Sequence, residues 1–164
     1  MSYWSDPNLE PKRAYRWIVE VGGIEAWTAK KVSKPSFTVT ESTHTYLNHK
    51  FYYPGRVEWN TINLTLVDPL QPDSAAQIMA IISASGYQVP ENMNSLQTMS
   101  KKDAIAALGN PFRITQLDST GGSMETWELA NPWIKDVKFG ELDYESDDML
   151  EIELEIRYDY AKKV

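Results

Sequence analysis

Between residues 150 and 160 the chain alternates without interruption. Leu150, Ile152, Leu154, Ile156, Tyr158 and Tyr160 are separated by Glu151, Glu153, Glu155, Arg157 and Asp159. A period of two belongs to an extended strand, whose successive side chains point to opposite faces. A helix would scatter these apolar residues around its circumference. Slipping the register by one residue would bury three glutamates, so the strand is committed to one sheet with one covered face. A second layer must supply the cover.

Other segments read the same way. Residues 15–21 (YRWIVEV) form a strand that Gly22-Gly23 closes as a tight hairpin turn, with residues 27–32 as the return strand and Pro35 breaking the ladder. Residues 57–68 (VEWNTINLTLVD) form a further strand, with Ile62, Leu64 and Leu66 on one face and Thr61, Asn63 and Thr65 on the other. Residues 112–117 and 124–129 make a hairpin across Gly121-Gly122, and residues 133–139 and 141–144 approach one another as another strand pair.

Two helices interrupt the strands. Asp73-Ser74 is an N-cap signal before residues 75–85, where Ile78, Met79, Ile81 and Ile82 share a helical face and Gly86 ends the run. Ser100 caps a shorter helix, with Asp103 three residues on and Gly109 and Pro111 beyond its end. The expected fold is mainly β with one main helix: a single domain built as an antiparallel β-sandwich or part-barrel, with an N-terminal arm at 1–14 and a helical insertion at 73–110.

Residues 36–55 stand apart. The segment is rich in Thr, Ser, His and Tyr and has no obvious buried face. It reads as an extended β-hairpin arm closed by the turn Pro54-Gly55. Tyr46, Phe51, Tyr52 and Tyr53 give it an aromatic content that marks a protein contact better than a free surface.

The 164 residues carry 16 basic and 23 acidic side chains, a net charge of −7, and no cysteine. Thiolate chemistry, disulfides and cysteine-ligated metals are excluded. So strong an acidic balance disfavours duplex binding, which rests on Lys and Arg meeting phosphates. The sequence contains no apolar run long enough for a transmembrane helix, and no signal peptide is expected at its polar start. The charge is uneven: residues 1–60 sum to +2 and residues 61–164 to −9. Such polarity suits one face meeting the opposite face of a second copy, with Lys30, Lys31 and Lys34 among the basic residues, or simply places charge where solvent is.

No catalytic constellation is present, and an enzyme is not expected. The chain lacks G-x-S-x-G, P-loop and G-x-G-x-x-G patterns. His44 and His49 are five residues apart, which on one regular strand places them on opposite faces and suits polar surface better than a metal site. The run Glu141, Asp143, Glu145, Asp147, Asp148 fails the calcium-loop pattern, since its sixth position from Asp143 is Asp148 and its twelfth is Leu154. No metal and no cofactor are implied.

Three segments carry a resemblance to a known family. They are Tyr15 to Val21, Pro54 to Asn60 with Leu64 to Asp68, and Trp133 through Gly140-Glu141-Leu142-Asp143-Tyr144 and Ser146-Asp147-Asp148 to Tyr160. In this order and spacing the chain resembles the tail tube proteins of contractile-tailed bacteriophages, the T-even-type tube family. That family is related to the tubes of secretion systems and pyocins.

The resemblance implies a structural virion protein. Its hexameric rings would close a β-barrel and stack head-to-tail into a hollow tube through which DNA passes without specific binding. The implied partners are other copies of the chain, a sheath protein, and baseplate and tube-terminator proteins. The implied setting is the virion tail, assembled in the host cytoplasm. Tyr46, Phe51, Tyr52 and Tyr53 would contact the neighbouring ring. Glu151, Glu153 and Glu155, or the uncharged Thr61, Asn63 and Thr65, would line the lumen. The alternatives are a baseplate tube initiator, a tube of a contractile injection or secretion system, and, from another class, a β-sandwich carbohydrate-binding module using Trp4, Trp27 and Trp59.

Overall fold

A computed structural model describes residues 4–91, 96–109 and 111–164. Parts of the N-terminal arm and of the helical insertion therefore lie outside the described residues. The strands are β1 (Trp17–Glu20), β2 (Ala29–Val32), β3 (Phe37–Tyr46), β4 (His49–Trp59), β5 (Ile62–Val67), β6 (Phe112–Leu117), β7 (Ser123–Ala130), β8 (Trp133–Lys138), β9 (Glu151–Arg157) and β10 (Tyr160–Lys163). Helices α1 (Ser74–Ala84) and α2 (Lys101–Leu108) lie between β5 and β6.

The strands form two four-stranded antiparallel sheets, in the orders β1-β6-β7-β10 and β2-β5-β9-β8, and β3-β4 stands by itself. The four-stranded sheets make a β-sandwich and neither closes into a barrel. Ile62, Leu64 and Leu66 of β5 and Ile152, Leu154 and Ile156 of β9 are almost wholly buried. They share one core with Val19, Phe112, Ile114 and Leu129 of the other sheet, and with Ile78, Ile81 and Leu108 of the helices. The alternation of the late segment is thus realised at the centre of a sheet, with β9 between β5 and β8.

Both helix starts follow from their caps. The Asp73 side chain accepts from the N–H groups of Ala75 and Ala76, and Ser100 Oγ accepts from the N–H of Asp103, so donors that lack intrahelical partners are satisfied.

Several connections differ from the sequence reading. Gly22-Gly23 does not fold β1 back onto β2, because the two strands lie in different sheets. The pair does make the tight turn, with Val21 bridging Ile24 antiparallel and the Ile24 N–H donating to Val21 O at 3.4 Å, and the turn sits against the end of α2. The N–H of Gly23 donates to Leu108 O at 3.0 Å, and a Cβ on Gly109 would stand 2.8 Å from Gly22 Cα. Gly109 also has φ of 95°, where only glycine is unstrained. Gly109→Ala is expected to lower stability by about 1–3 kcal/mol, read as an earlier urea midpoint.

The residue 57–68 strand is two strands divided at Asn60-Thr61: Asn60 N–H still donates to Ser36 O at 2.9 Å beside the β3-β4 ladder, whereas β5 pairs with β2 and β9. The late strand is also two. Tyr158 is buried between the layers, and Asp159 is held by the Lys101 ammonium at 2.9 Å and the Asn131 amide at 2.8 Å. The chain there crosses from one sheet to the other, and β10 then pairs with β7. Residues 141–144 are not a strand; they belong to the irregular loop between β8 and β9.

Candidate assembly surfaces

The β3-β4 hairpin is longer than the expected 36–55 arm and turns elsewhere. Its turn is Leu47-Asn48, with Leu47 at φ of 53°. Pro54-Gly55 lies inside β4, where the register shifts opposite Thr40. Proline is tolerated because both strands of a two-stranded sheet are edges. Glycine is required because a Cβ at Gly55 would stand 2.5 Å from Thr40 Oγ1. That hydroxyl bonds the backbone of Arg56 on both sides, accepting from its N–H at 2.8 Å and donating to its carbonyl at 3.2 Å.

The hairpin's root is fixed to the body. Trp59 packs edge-on against Phe37, with ring centres 5.1 Å apart, and lies 6.1 Å from Tyr158. Trp59 is thereby engaged in the root and is not a free carbohydrate platform. The Arg157 guanidinium donates to Trp59 O at 3.1 Å.

Beyond its root the hairpin is exposed along its whole length. Register pairs Tyr46 with His49, His44 with Phe51, and Ser42 with Tyr53, and paired residues share a face. Tyr46, Phe51 and Tyr53 therefore form one aromatic face, while Tyr52, paired with Thr43, lies on the other. The same register corrects the histidine reading. The turn falls between His44 and His49, so they sit on different strands and on the same face, among the aromatics. Among the described residues no three His, Asp or Glu side chains converge as metal ligands.

The second surface is the outer face of β2-β5-β9-β8. The sequence offered Glu151, Glu153 and Glu155, or Thr61, Asn63 and Thr65, as separate candidates. The structure makes them one surface: Asn63 pairs with Glu155, Thr65 with Glu153, and the Thr61 hydroxyl donates to Glu155 at 2.7 Å. Lys31, Asn63, Asp136, Lys138, Glu153 and Glu155 are among the residues lining a shallow cleft of about 410 Å³ there.

The face is less acidic than β9 alone suggests. Lys30 pairs with Glu151, Lys135 approaches Glu155 at 4.0 Å, and Lys31 and Lys138 flank the cleft. The Glu151 carboxylate in turn raises the pKa of Lys30. Among the described residues, none of the exposed large apolar side chains lies in these four strands. The opposite sheet exposes Ile18, Met124 and Tyr160.

A third cluster ties separate segments together. Glu125, 7% exposed, accepts from Lys12 of the N-terminal arm at 2.7 Å and from Lys34 beside the hairpin root at 3.0 Å. Trp127 Nε1 donates to its other oxygen at 2.9 Å. Lys12 first, then Lys34, lower the carboxyl from its ordinary 4.5 to about 2. Because the folded pKa is depressed, the stabilisation is complete above pH 4.5 and is lost as pH falls from there toward 2. Glu125→Gln is expected to cost about 1.5–3 kcal/mol at pH 7, with the gap to the parent closing across that acidic window in denaturation curves.

Lys30 and Lys34 thus have carboxylate partners within their own chain. The charge asymmetry along the sequence is partly internal pairing.

A sandwich of two open four-stranded sheets with a projecting hairpin has the fold of the tube proteins of contractile injection systems. No protein-family model matches the sequence, and no curated protein matches it. Solved structures do match. A chain of the sixfold-symmetrised anti-feeding prophage baseplate aligns with TM-score 0.68 and 17% identity, over 95% of this chain and 97% of that one. A chain of the PVC extracellular contractile injection system, in its extended sheath-tube complex, aligns with TM-score 0.61 and 20% identity, over 100% and 99%. One from the PVC sheath/tube terminator aligns with TM-score 0.61 and 19% identity, over 95% and 98%. No helix among the described residues is long and apolar enough to cross a membrane.

Proposed function

We propose that this chain is a structural subunit of the axial tube of a contractile assembly, that its rings are hexameric, and that the rings stack head-to-tail around a channel. The carrying observation is the hairpin: about 33 Å of two-stranded sheet at the usual rise per residue, exposed on both faces and unsupported beyond its root. Two-stranded ribbons are marginal in water, and open edges invite pairing with another chain. A second copy would supply the missing support through Tyr46, Phe51 and Tyr53 on one face, or Tyr52 on the other. Similarity in fold to chains from sheath-tube, baseplate and terminator structures supports the same reading, and the sixfold symmetry of one of them supports the ring number.

The channel wall in this proposal is the outer face of β2-β5-β9-β8, bearing Glu151, Glu153, Glu155, Thr61, Asn63 and Thr65. A conduit wall must not hold its cargo, and this sheet, unlike the other, exposes no large apolar side chain. Four strands from each of six copies would give a barrel roughly 35–50 Å across between backbones. Its mixed lysines and carboxylates hold neither strong sign of charge, so it suits passage of a folded protein as well as of DNA. A phage tail tube and an extracellular injection tube are therefore equal readings of the cargo.

Similarity to baseplate and terminator chains favours a second reading, in which the subunit forms a ring that starts or caps the tube. Under either reading the role is architectural, with sheath or baseplate proteins as partners. Electron microscopy of the concentrated purified protein tests it: sixfold rings or hollow filaments are expected, with filaments for the tube and isolated rings for an initiator or cap. A protein that stays monomeric and binds glycans would overturn the proposal.

A further inference from the structure

We infer that the loop between β8 and β9, residues 139–150, is the seat for the hairpin tip of the next copy in the stack; this rests on the tube reading and names the surface that receives the arm. The loop is set in place at both ends. Gly140, at φ of 95°, lies where a Cβ would meet Glu151 O at 2.7 Å, and Leu150 O accepts from the N–H of Asp68 at 3.0 Å. Between these roots it is shaped by its own bonds: Glu145 N–H donates to Asp143 Oδ1 at 3.0 Å and Asp148 N–H to Ser146 Oγ at 3.2 Å.

The loop nevertheless presents its apolar residues outward. Leu142 is 90% exposed, Met149 71%, and Tyr144 is fully exposed. A cleft of about 1,030 Å³ opens between loop and sheet beside them. Apolar side chains held outward on a fixed loop mark a contact surface.

Charge selects the occupant. The loop carries Glu141, Asp143, Glu145, Asp147 and Asp148 with no basic residue, and none of the five forms an ion pair among the described residues. The distal hairpin, residues 42–53, has the opposite character: no acid, a lysine at Lys50, and the two histidines among its aromatics. Among the described residues Lys50 has no acidic partner, and neither does Arg56 nearer the root. Aromatics with cations on one surface thus match exposed apolar residues with anions on the other. A single chain holds both halves at different places, which is the requirement for a heterologous contact that propagates.

The absence of native cysteine allows a direct test. Asn48→Cys and Glu145→Cys proteins are mixed, assembled, and treated with a short bismaleimide, whose two ends each add to one thiol. A cross-linked dimer is expected from the mixture and not from either protein alone. In parallel, Asp143→Lys with Asp147→Lys is expected to reduce pelletable tube about tenfold or more, and Lys50→Glu in the same chain to recover part of it. Tubes that form from the mixture without cross-linking, or a charge-reversed loop that pellets like the parent, would overturn the docking site while leaving the tube reading intact. A parent chain that assembles under no condition would overturn both.

Discussion

Replacing Tyr46, Phe51 and Tyr53 together with serine is expected to leave a folded subunit that no longer stacks into filaments. The three lie on one face of the distal hairpin, which meets the core shared by the two sheets only at its root, through Trp59. Circular dichroism and the urea midpoint of the body should therefore stay at parental values. Aromatic anchors at a contact are worth about 2 kcal/mol each, so losing three weakens each subunit contact by about four orders of magnitude. Sedimentation velocity should show no species larger than a single ring at concentrations where the parent forms filaments. Tyr52 supplies the control, because it occupies the other face. If Tyr52→Ser blocks assembly and the triple variant does not, the opposite side of the arm is the buried one.

Leu154→Ala is expected to destabilise the subunit by about 2–5 kcal/mol, a large part of the 5–15 kcal/mol that typically holds a domain together. Leu154 is 1% exposed, on the central strand β9, with Leu64 and Val137 as its register partners on the two neighbouring strands. No neighbour can close the resulting cavity without shifting both sheets. Glu153→Ala, one residue away on the outer face, should change stability by no more than about 0.5 kcal/mol. Paired urea denaturation curves test the two together. Equal effects would mean that the alternation does not divide core from surface as described.

The features most legible in the sequence were those written in short-range chemistry. The period-two run identifies β9 because burial on one face demands that spacing. Asp73 and Ser100 announce their helices because a cap acts on N–H groups two or three residues away. The β6-β7 hairpin is likewise local.

What the sequence reading missed was long-range. Gly22-Gly23 makes its tight turn, but the turn packs against the end of α2, some 85 residues later, and no local pattern encodes that approach. The histidine pair was misplaced because the turn at Leu47-Asn48 carries no glycine or proline, while the conspicuous Pro54-Gly55 pair drew the boundary to itself. The outer face of β9 read as acidic because its lysine neighbours come from β8 beside it and from β2 one strand further across the sheet, which only the fold brings together. Glu125 gave no signal at all, since its two cations lie 113 and 91 residues away.

The place of β9 also bears on when assembly can begin. It is the strand that joins β5 to β8, and it follows both of them in the chain, as β10 follows β7. During synthesis the hairpin and its aromatic face emerge about a hundred residues before the sheet that is to carry them can close. Two consequences follow. The body folds late and through distant pairings, which is slow, and nascent chains expose their adhesive arms while still lacking the rigid surface on which a neighbour's arm could settle. A polymer made from such subunits is protected in time: the means of holding on is made early, the means of being held is made last, and growth waits for finished subunits.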